Sequence, residues 1–363
     1  MVARDEVPSK TARAGKSTAT YAPRASGILS KVMNTYVNAD LAEIRISGKT
    51  LYVPSAEICG RTVVVTGKWM RMAQIKDEEV VEGVTVENPE SFITELKETE
   101  LEADVFTFTQ RPPEITPKYN YHLEWDNWAA IPTTCFKDWW ENRLPQESRK
   151  NVRRAAKRGV VVKVVPFDDD LVKDIHKIYN ETPVRQGKLF WHFGKDFKAV
   201  RRGLATYLDR CEFIAAYWKE ELIGFLKMVY VDHVAILFHI ISMNEHYDKR
   251  PMNALIAKAV EFCEQKGISH FVYGQFVYGN KHRSSLSEFK RRNGFEQINF
   301  PRYYIPLTVK GRVFVRLKLY KGSGGLLPEP ILQIVLSFRS RCSKMFLGKR
   351  TLQYKKFAGV AQR

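Results

Sequence analysis

Between Asp40 and Glu79 the apolar positions are β-branched and fall in short extended runs, residues 51–54 and 61–66, separated by Gly48 and Gly60, a pattern that predicts sheet. Asn88-Pro89-Glu90 then supplies a cap, a proline for the first helical position and an acidic first turn ahead of Phe92, Ile93 and Leu96, which share one helical face. A helix is expected there, and the apolar residues 105–108 after it read as a buried strand. The proline-rich stretch 111–117 breaks the order. Beyond it Tyr119, Tyr121, Trp125, Trp128, Trp139 and Trp140 crowd together; packing is their expected use, with ligand binding as the alternative.

Pro145 opens a second helical segment running to about Arg158, where Gly159 stops it before the β-branched residues 160–165. Its cations form two adjacent rows, Arg149, Arg153 and Lys157 with Lys150, Arg154 and Arg158 beside them, and no acid between 149 and 158 relieves the repulsion. A solvated face and an anion dock both fit that arrangement. Downstream, helices at about 170–180 and 197–208 precede three apolar runs, 212–218, 222–231 and 233–243, whose short links predict an antiparallel meander. After a loop over 244–250, Pro251 opens an amphipathic helix with Met252, Leu255, Ile256, Ala259, Val260 and Cys263 on one face and Gly267 as its stop. Strand 271–277, helix 284–292, the stop Gly294 and strand 295–307 complete the expected order.

Composition narrows the class. The 363 residues carry 58 Lys+Arg against 40 Asp+Glu, a formal charge of +18, and 44% are hydrophobic. Collagen, a disordered chain and a small disulfide scaffold are excluded, and the length points to two domains or one duplicated unit. The longest apolar stretches, 234–243 and 331–338, fall well short of the ~20 residues a spanning helix needs. Cysteines 59, 135, 211, 263 and 342 stand singly, so neither a disulfide framework nor a metal site is expected. Residues 1–39 read as a disordered basic leader without a secretory apolar core, which predicts a cytoplasmic protein. The positive charge predicts anionic partners: nucleic acid, a phosphorylated co-substrate or the inner membrane surface. Residues 321–363 combine Ile331, Ile334, Val335 and Phe338 with cations from Arg339 onward. Such a tail suits an amphipathic foot on anionic lipid, a packing helix with a disordered basic end, or contact with tRNA phosphates.

No P-loop, dinucleotide GxGxxG, HExxH or nucleophile-elbow GxSxG is present, which sets aside nucleotide hydrolysis, hydride transfer and serine hydrolysis. The order of meander, loop, helix N-terminus, strand, helix and Gly294-Phe295 resembles the GNAT acyltransferase superfamily. In that fold the loop after the fourth strand and the first turn of its helix offer N–H groups to a pyrophosphate. Here the loop spans 243–253, with Met243, Lys249, Arg250, Met252 and Asn253 as donor-binding candidates. It carries no glycine to bring backbone close to phosphate, so Lys249 and Arg250 would act through their side chains. The stretch Ser287-Glu288-Phe289-Lys290-Arg291-Arg292-Asn293-Gly294-Phe295 resembles the GNAT end motif, with Lys290 where many GNAT enzymes carry the tyrosine that protonates the leaving thiolate. A Phe-Lys pair before a glycine-aromatic end is how the FemABX-type aminoacyl and peptidyl transferases look. Residues 104–106, Trp139-Trp140, Leu144-Pro145 and 149–155 leading to Gly159-Val160 are similar to their first half, so the resemblance covers about residues 100–320.

The resemblance implies an α/β (α+β) protein of two fused GNAT-like halves with mixed, mainly antiparallel sheets: residues 40–165, and a catalytic half over 166–320. It implies an N-acyltransferase that forms an amide between an activated acyl or aminoacyl donor and an amine, in cell-envelope or glycan precursor chemistry. No tightly bound cofactor is expected; the co-substrate is acyl-CoA or aminoacyl-tRNA, and a lipid-linked acceptor would bring the protein to the inner membrane surface. Such a reaction needs a cradle for the carrier, a proton acceptor, and a donor for developing negative charge. Lys290 is assigned the last role, with a plain surface lysine as the alternative. Proton acceptors are sought among Glu245, His246 and Asp248 in the loop, His239 on the strand before it, and His282; Glu245 is the best placed, whereas His239 has the apolar neighbours of a core histidine. Tyr278, Asn280 and His282 are expected to orient the acceptor, and Arg149, Lys150, Arg153, Arg154 and Lys157 to bind anions. Two rivals stand beside this reading: an acyl-CoA-dependent GNAT enzyme acting on a sugar amine or small amine, and a non-catalytic GNAT-like module that binds nucleic acid.

Overall fold

The computed structural model describes residues 40–46, 49–278 and 284–321; Asn280, His282, the leader and the tail from residue 322 lie outside them. Strands β1 (Asp40–Ile46), β2 (Lys49–Ile58), β3 (Arg61–Thr66) and β4 (Met72–Ile75) form an antiparallel meander, as the β-branched runs predict. Helix α1 (Pro89–Glu98) is capped by Asn88, whose Oδ1 accepts the N–H groups of Glu90 at 3.0 Å and Ser91 at 3.1 Å, and it buries Phe92, Ile93 and Leu96. The strand after it, β5 (Val105–Thr109), is buried at every position. Next comes an 11-residue strand that the sequence pattern does not announce, β6 (His122–Pro132). Glu124, Asp126 and Asn127 interrupt its apolar rhythm because each is used by a polar contact: Asp126 lines a cleft, Asn127 accepts the N–H groups of Phe276 and Val277, and Glu124 accepts from the Tyr320 hydroxyl.

A π-helical turn, Trp139–Arg143, leads to α2 (Gln146–Lys157), with Pro145 at its N-cap, and to β7 (Val161–Val165). Then follow α3 (Asp169–Asn180), the small hairpin β8 (Val184–Arg185) and β9 (Lys188–Leu189), and α4 (Phe197–Leu204). Helix α4 ends four residues earlier than its pattern suggests. The buried Lys227 ammonium takes the carbonyls of Leu204, at 2.7 Å, and Thr206 out of helical pairing. The expected meander is present as β10 (Cys211–Trp218), β11 (Glu221–Val231) and β12 (Val234–Ser242), followed by α5 (Pro251–Gln265), β13 (His270–Val272), α6 (Ser285–Arg292), β14 (Glu296–Pro306) and α7 (Val309–Arg316). Gly294 follows α6 with φ +75°, and a Cβ there would lie 2.6 Å from Trp139 Nε1, so only glycine fits this stop.

The strands form one twelve-stranded sheet in the order β1-β2-β3-β4-β5-β14-β6-β13-β12-β11-β10-β7. The β4–β5 and β12–β13 pairs are parallel and the others antiparallel. β14 inserts between β5 and β6, while β7 closes the far edge against β10. Alternate residues of β10 enter different cores: Ile214 and Ala216 pack with α5, Phe213 and Ala215 with α3 and α4. The two helical layers therefore cover opposite faces of the sheet. No helix among the described residues is long and apolar enough to cross a membrane.

Candidate active site

The expected strand over 271–277 stops at Val272 because β6 takes over its hydrogen bonding. Asn127 Oδ1 accepts the N–H groups of Phe276 and Val277, each at 2.8 Å, and its Nδ2 donates to the Val277 carbonyl at 3.3 Å. Beside it, Asp126 accepts from Gln275 Nε2 at 2.9 Å. These contacts turn residues 274–278 out of the ladder and present Tyr278 to solvent. Gly274, at φ +52°, allows the turn; a Cβ on it would lie 3.3 Å from the Tyr278 hydroxyl.

Helix α6, capped by Ser284 Oγ accepting the Ser287 N–H at 3.0 Å, carries Lys290 on its inner side, 0% exposed. The ammonium donates to the Gln275 carbonyl at 2.6 Å and to the Tyr278 hydroxyl oxygen at 3.1 Å, and lies 4.4 Å from the ring centre of Tyr273. Its partners are a carbonyl, a phenol and aromatic faces. Burial therefore pushes its pKa down to about 8.

The facing wall comes from β14 and the turn after β4. Arg302 donates from Nε to Asp126 at 3.0 Å and pairs through Nη2 with Glu78 at 3.2 Å. Burial opposes its charge, but these two carboxylates outweigh that and raise its pKa. Arg111 donates to the carbonyls of Glu78, Glu79, Val81 and Gly83, fixing the turn that carries Glu79. The Glu79 carboxylate is open to solvent and has no partner among the described residues. Crowding by the cleft walls raises its pKa, with the charges of Asp77 and Glu78 adding to the effect. Glu79, Arg111, Asp126, Gln275, Tyr278 and Arg302 line a cleft of about 320 Å³. The Tyr278 phenol is pushed up by burial and, secondarily, by the Glu79 charge. A larger, mainly apolar chamber of about 600 Å³, walled by Val86, Phe108, Val234 and Ile236, shares Glu79, Thr109, Arg111 and Trp128 with it.

The candidates from the sequence divide sharply. Lys290 and Tyr278 meet at this cleft, Lys290 standing behind the Tyr278 hydroxyl instead of on the surface. The loop candidates do not join them. Both N–H groups that open the loop, of Asn244 and Glu245, donate to the carboxylate of Glu181 at 2.9 Å, and Glu181 is held by Arg185 at 2.8 Å. Lys249 lies 4.3 Å from the Trp218 ring centre beside Asp248, Arg250 stacks on Tyr247, and Asn253 donates to Asn293 at 2.8 Å. Met243 and Met252 pack against the two cores, and His246 is buried 3.2 Å from Glu221. The Glu245 side chain lines neither chamber. The His239 ring packs near His192 and Phe225 on the α3–α4 face, across the sheet from Lys290. On α2, Arg149 donates to the carbonyls of Trp140 and Glu141, Arg154 to Asn151, and Arg158 to Asp248, leaving Lys150, Arg153 and Lys157 exposed. Sequence reasoning missed Glu79, although an acidic triplet, Asp77-Glu78-Glu79, in so basic a chain was a usable signal.

No family model matches the chain, and no curated protein matches it in sequence. Among solved structures it is similar to FemX, with 10% identity and a TM-score of 0.52, over 80% of this chain and 92% of that one. The fold is GNAT-like, of the FemX kind. Also similar are L-PGS from Bacillus licheniformis, at 12% identity and TM-score 0.49 over 74% of this chain and 88% of that one, and the PaiA N-acetyltransferase from Thermoplasma acidophilum in complex with coenzyme A, at 15% and 0.28 over 40% and 99%. The α/β, GNAT-like architecture expected from the order of elements is thus present, and the cleft lies in this FemX-like frame where β6, β14 and the segment after β13 meet.

Proposed function

We propose that the chain is a transferase that joins an activated acyl or aminoacyl group to an amine, forming an amide. The observation that carries this reading is the cleft itself. A carboxylate without a partner among the described residues, Glu79, shares one small chamber with a phenol, Tyr278, whose oxygen is held by a buried ammonium. Glu79 attracts the acceptor as an ammonium ion and takes its proton, and desolvation raises its pKa, which makes it a stronger base than an ordinary carboxylate. The freed amine attacks the donor carbonyl. Tyr278 donates its O–H to the oxygen on which negative charge develops, and Lys290 compensates the phenol from behind. As the C–N bond forms and the bond to the carrier breaks, the leaving oxygen takes a proton from Tyr278 and Lys290 restores the phenol's proton, while the second proton shed by the nitrogen passes to solvent, from which Lys290 is recharged.

Aminoacyl-tRNA is the favoured donor. Glu181 occupies the loop N–H groups at which a GNAT enzyme would cradle coenzyme A, and an internal carboxylate there repels pyrophosphate. Lys150 and Lys157 are exposed toward tRNA phosphates, with Arg153 beside them over the Trp140 ring, and the apolar chamber gives room for an apolar part of the acceptor. The test measures binding of charged tRNA, acetyl-CoA and long-chain acyl-CoA in parallel at physiological salt, together with amide formation. Saturable binding of charged tRNA alone, weakening steeply with salt, supports the reading. Saturable CoA binding overturns the choice of donor, and full turnover by Glu79→Gln overturns the mechanism.

A further inference from the structure

Helix α7 is anchored on one side only. Thr308 caps it, accepting the Gly311 N–H at 3.0 Å, and Gly311, Phe314 and Val315 are buried. The other side is apolar and bare: Val309 is 67% exposed, Val313 52% and Leu317 56%, at i, i+4, i+8. Trp69, 66% exposed, extends this stripe from a neighbouring loop, meeting Phe314 edge-on at 6.4 Å between ring centres, with Lys310 donating to the Trp69 carbonyl. Cations border the stripe. Arg312 and Arg316 flank it on the helix, Lys68 precedes Trp69, and none of the three has a partner among the described residues. Nearby carboxylates are engaged, Asp104 with Lys310 at 3.0 Å, Glu124 with Lys318 at 3.7 Å, and Glu102 with Arg71.

We infer that this face, Trp69, Val309, Val313 and Leu317 with Lys68, Arg312 and Arg316, docks the protein on an anionic lipid surface. Aliphatic and indole side chains inserted at headgroup depth, inside a ring of cations, are what such a surface accepts. Charge separates this occupant from the alternatives. A second copy would set like cations against each other. Residues 322–363 hold Glu329 as their only acid, so that tail would also bring cations to a cationic face. The inference does not rest on the proposed transfer reaction.

The full chain is sedimented with vesicles of phosphatidylcholine alone and with phosphatidylglycerol added, at 0.1 M salt. Binding to the anionic vesicles only is expected. At ~1 kcal/mol per cation near the membrane, Arg312→Glu with Arg316→Glu weakens it by roughly 25-fold or more, and Val313→Asp with Leu317→Asp abolishes it. All four positions are exposed, so each variant should melt as the parent does. Four results overturn the inference: no binding to anionic vesicles; equal binding to neutral ones; α7 variants that bind like the parent while Ile334→Asp with Phe338→Asp does not; or a concentration-dependent dimer that Val313→Asp dissociates.

Discussion

Replacing Lys290 by Met is expected to abolish turnover while making the protein more stable at neutral pH, and the argument is quantitative. The ammonium is fully buried among uncharged partners, and its pKa falls from 10.5 to about 8. At about 1.36 kcal/mol per unit, the fold pays about 3 kcal/mol to keep this charge dry. The direction follows from the shift. Between about 8 and 10.5 the unfolded chain binds more protons than the folded one, so stability rises with pH across that window and is lowest below it. Methionine keeps the stem and removes the charge, but forfeits hydrogen bonds to Gln275 and Tyr278 worth about 1 kcal/mol each. Lys290→Met should therefore be about 1 kcal/mol more stable than the parent at pH 7 and about 1 kcal/mol less stable at pH 10. Urea unfolding at the two pH values measures this. Taking the difference between variant and parent cancels Lys227, which is shifted down to about 8 as well, and the bulk of tyrosine ionisation. An unchanged difference at the two pH values would refute a desolvated ammonium at Lys290.

Glu79→Gln should lower kcat by about 10²–10⁴-fold and remove the acid limb of the pH–rate profile, which in the parent lies above the usual carboxylate range; the melting curve should be unchanged. Gly274→Ala forces a side chain into left-handed backbone and pushes the Tyr278 hydroxyl from its place, so kcat should drop with KM nearly constant and stability should fall by about 1 kcal/mol. Glu181→Gln removes the charge partner of half-buried Arg185 and one acceptor of the loop N–H pair; a loss of about 3 kcal/mol in chemical unfolding is expected, with turnover retained once folded.

Local features were legible and cross-chain ones were not. The 251–265 helix and the 211–242 meander announce themselves because their signals, apolar period and turn residues, sit within a few positions of each other. Lys290 was legible as a position in an end motif, yet its burial depends on Gln275 and Tyr278 in a segment that leaves the ladder only because Asn127, about 150 residues earlier, takes its N–H groups. The 243–253 loop offered the position and the cations of an anion cradle, although no glycine. What fills it is Glu181, 63 residues before Asn244, and nothing in the loop's own letters records that. β6 escaped notice because a strand whose polar side chains build a cleft loses the alternation by which strands are recognised. His239, a proton-acceptor candidate from the sequence, lies beside His192 and Phe225, and only the assignment of β12 residues to opposite faces separates it from Lys290.

The cleft also depends on the order of strands in the sheet. Its residues come in two groups: Glu78, Glu79, Arg111 and Asp126 from the first 130 residues, and Gln275, Tyr278, Lys290 and Arg302 from the last hundred. What joins them is β14, a late strand whose two neighbours, β5 and β6, both come from early in the chain. Its Arg302 then reaches Glu78 and Asp126 at once, so the charge that holds the acidic wall in place arrives on a strand from late in the chain. Without β14 between them, β5 and β6 would each show an unpaired edge here, and the acidic wall would lose the arginine that holds it.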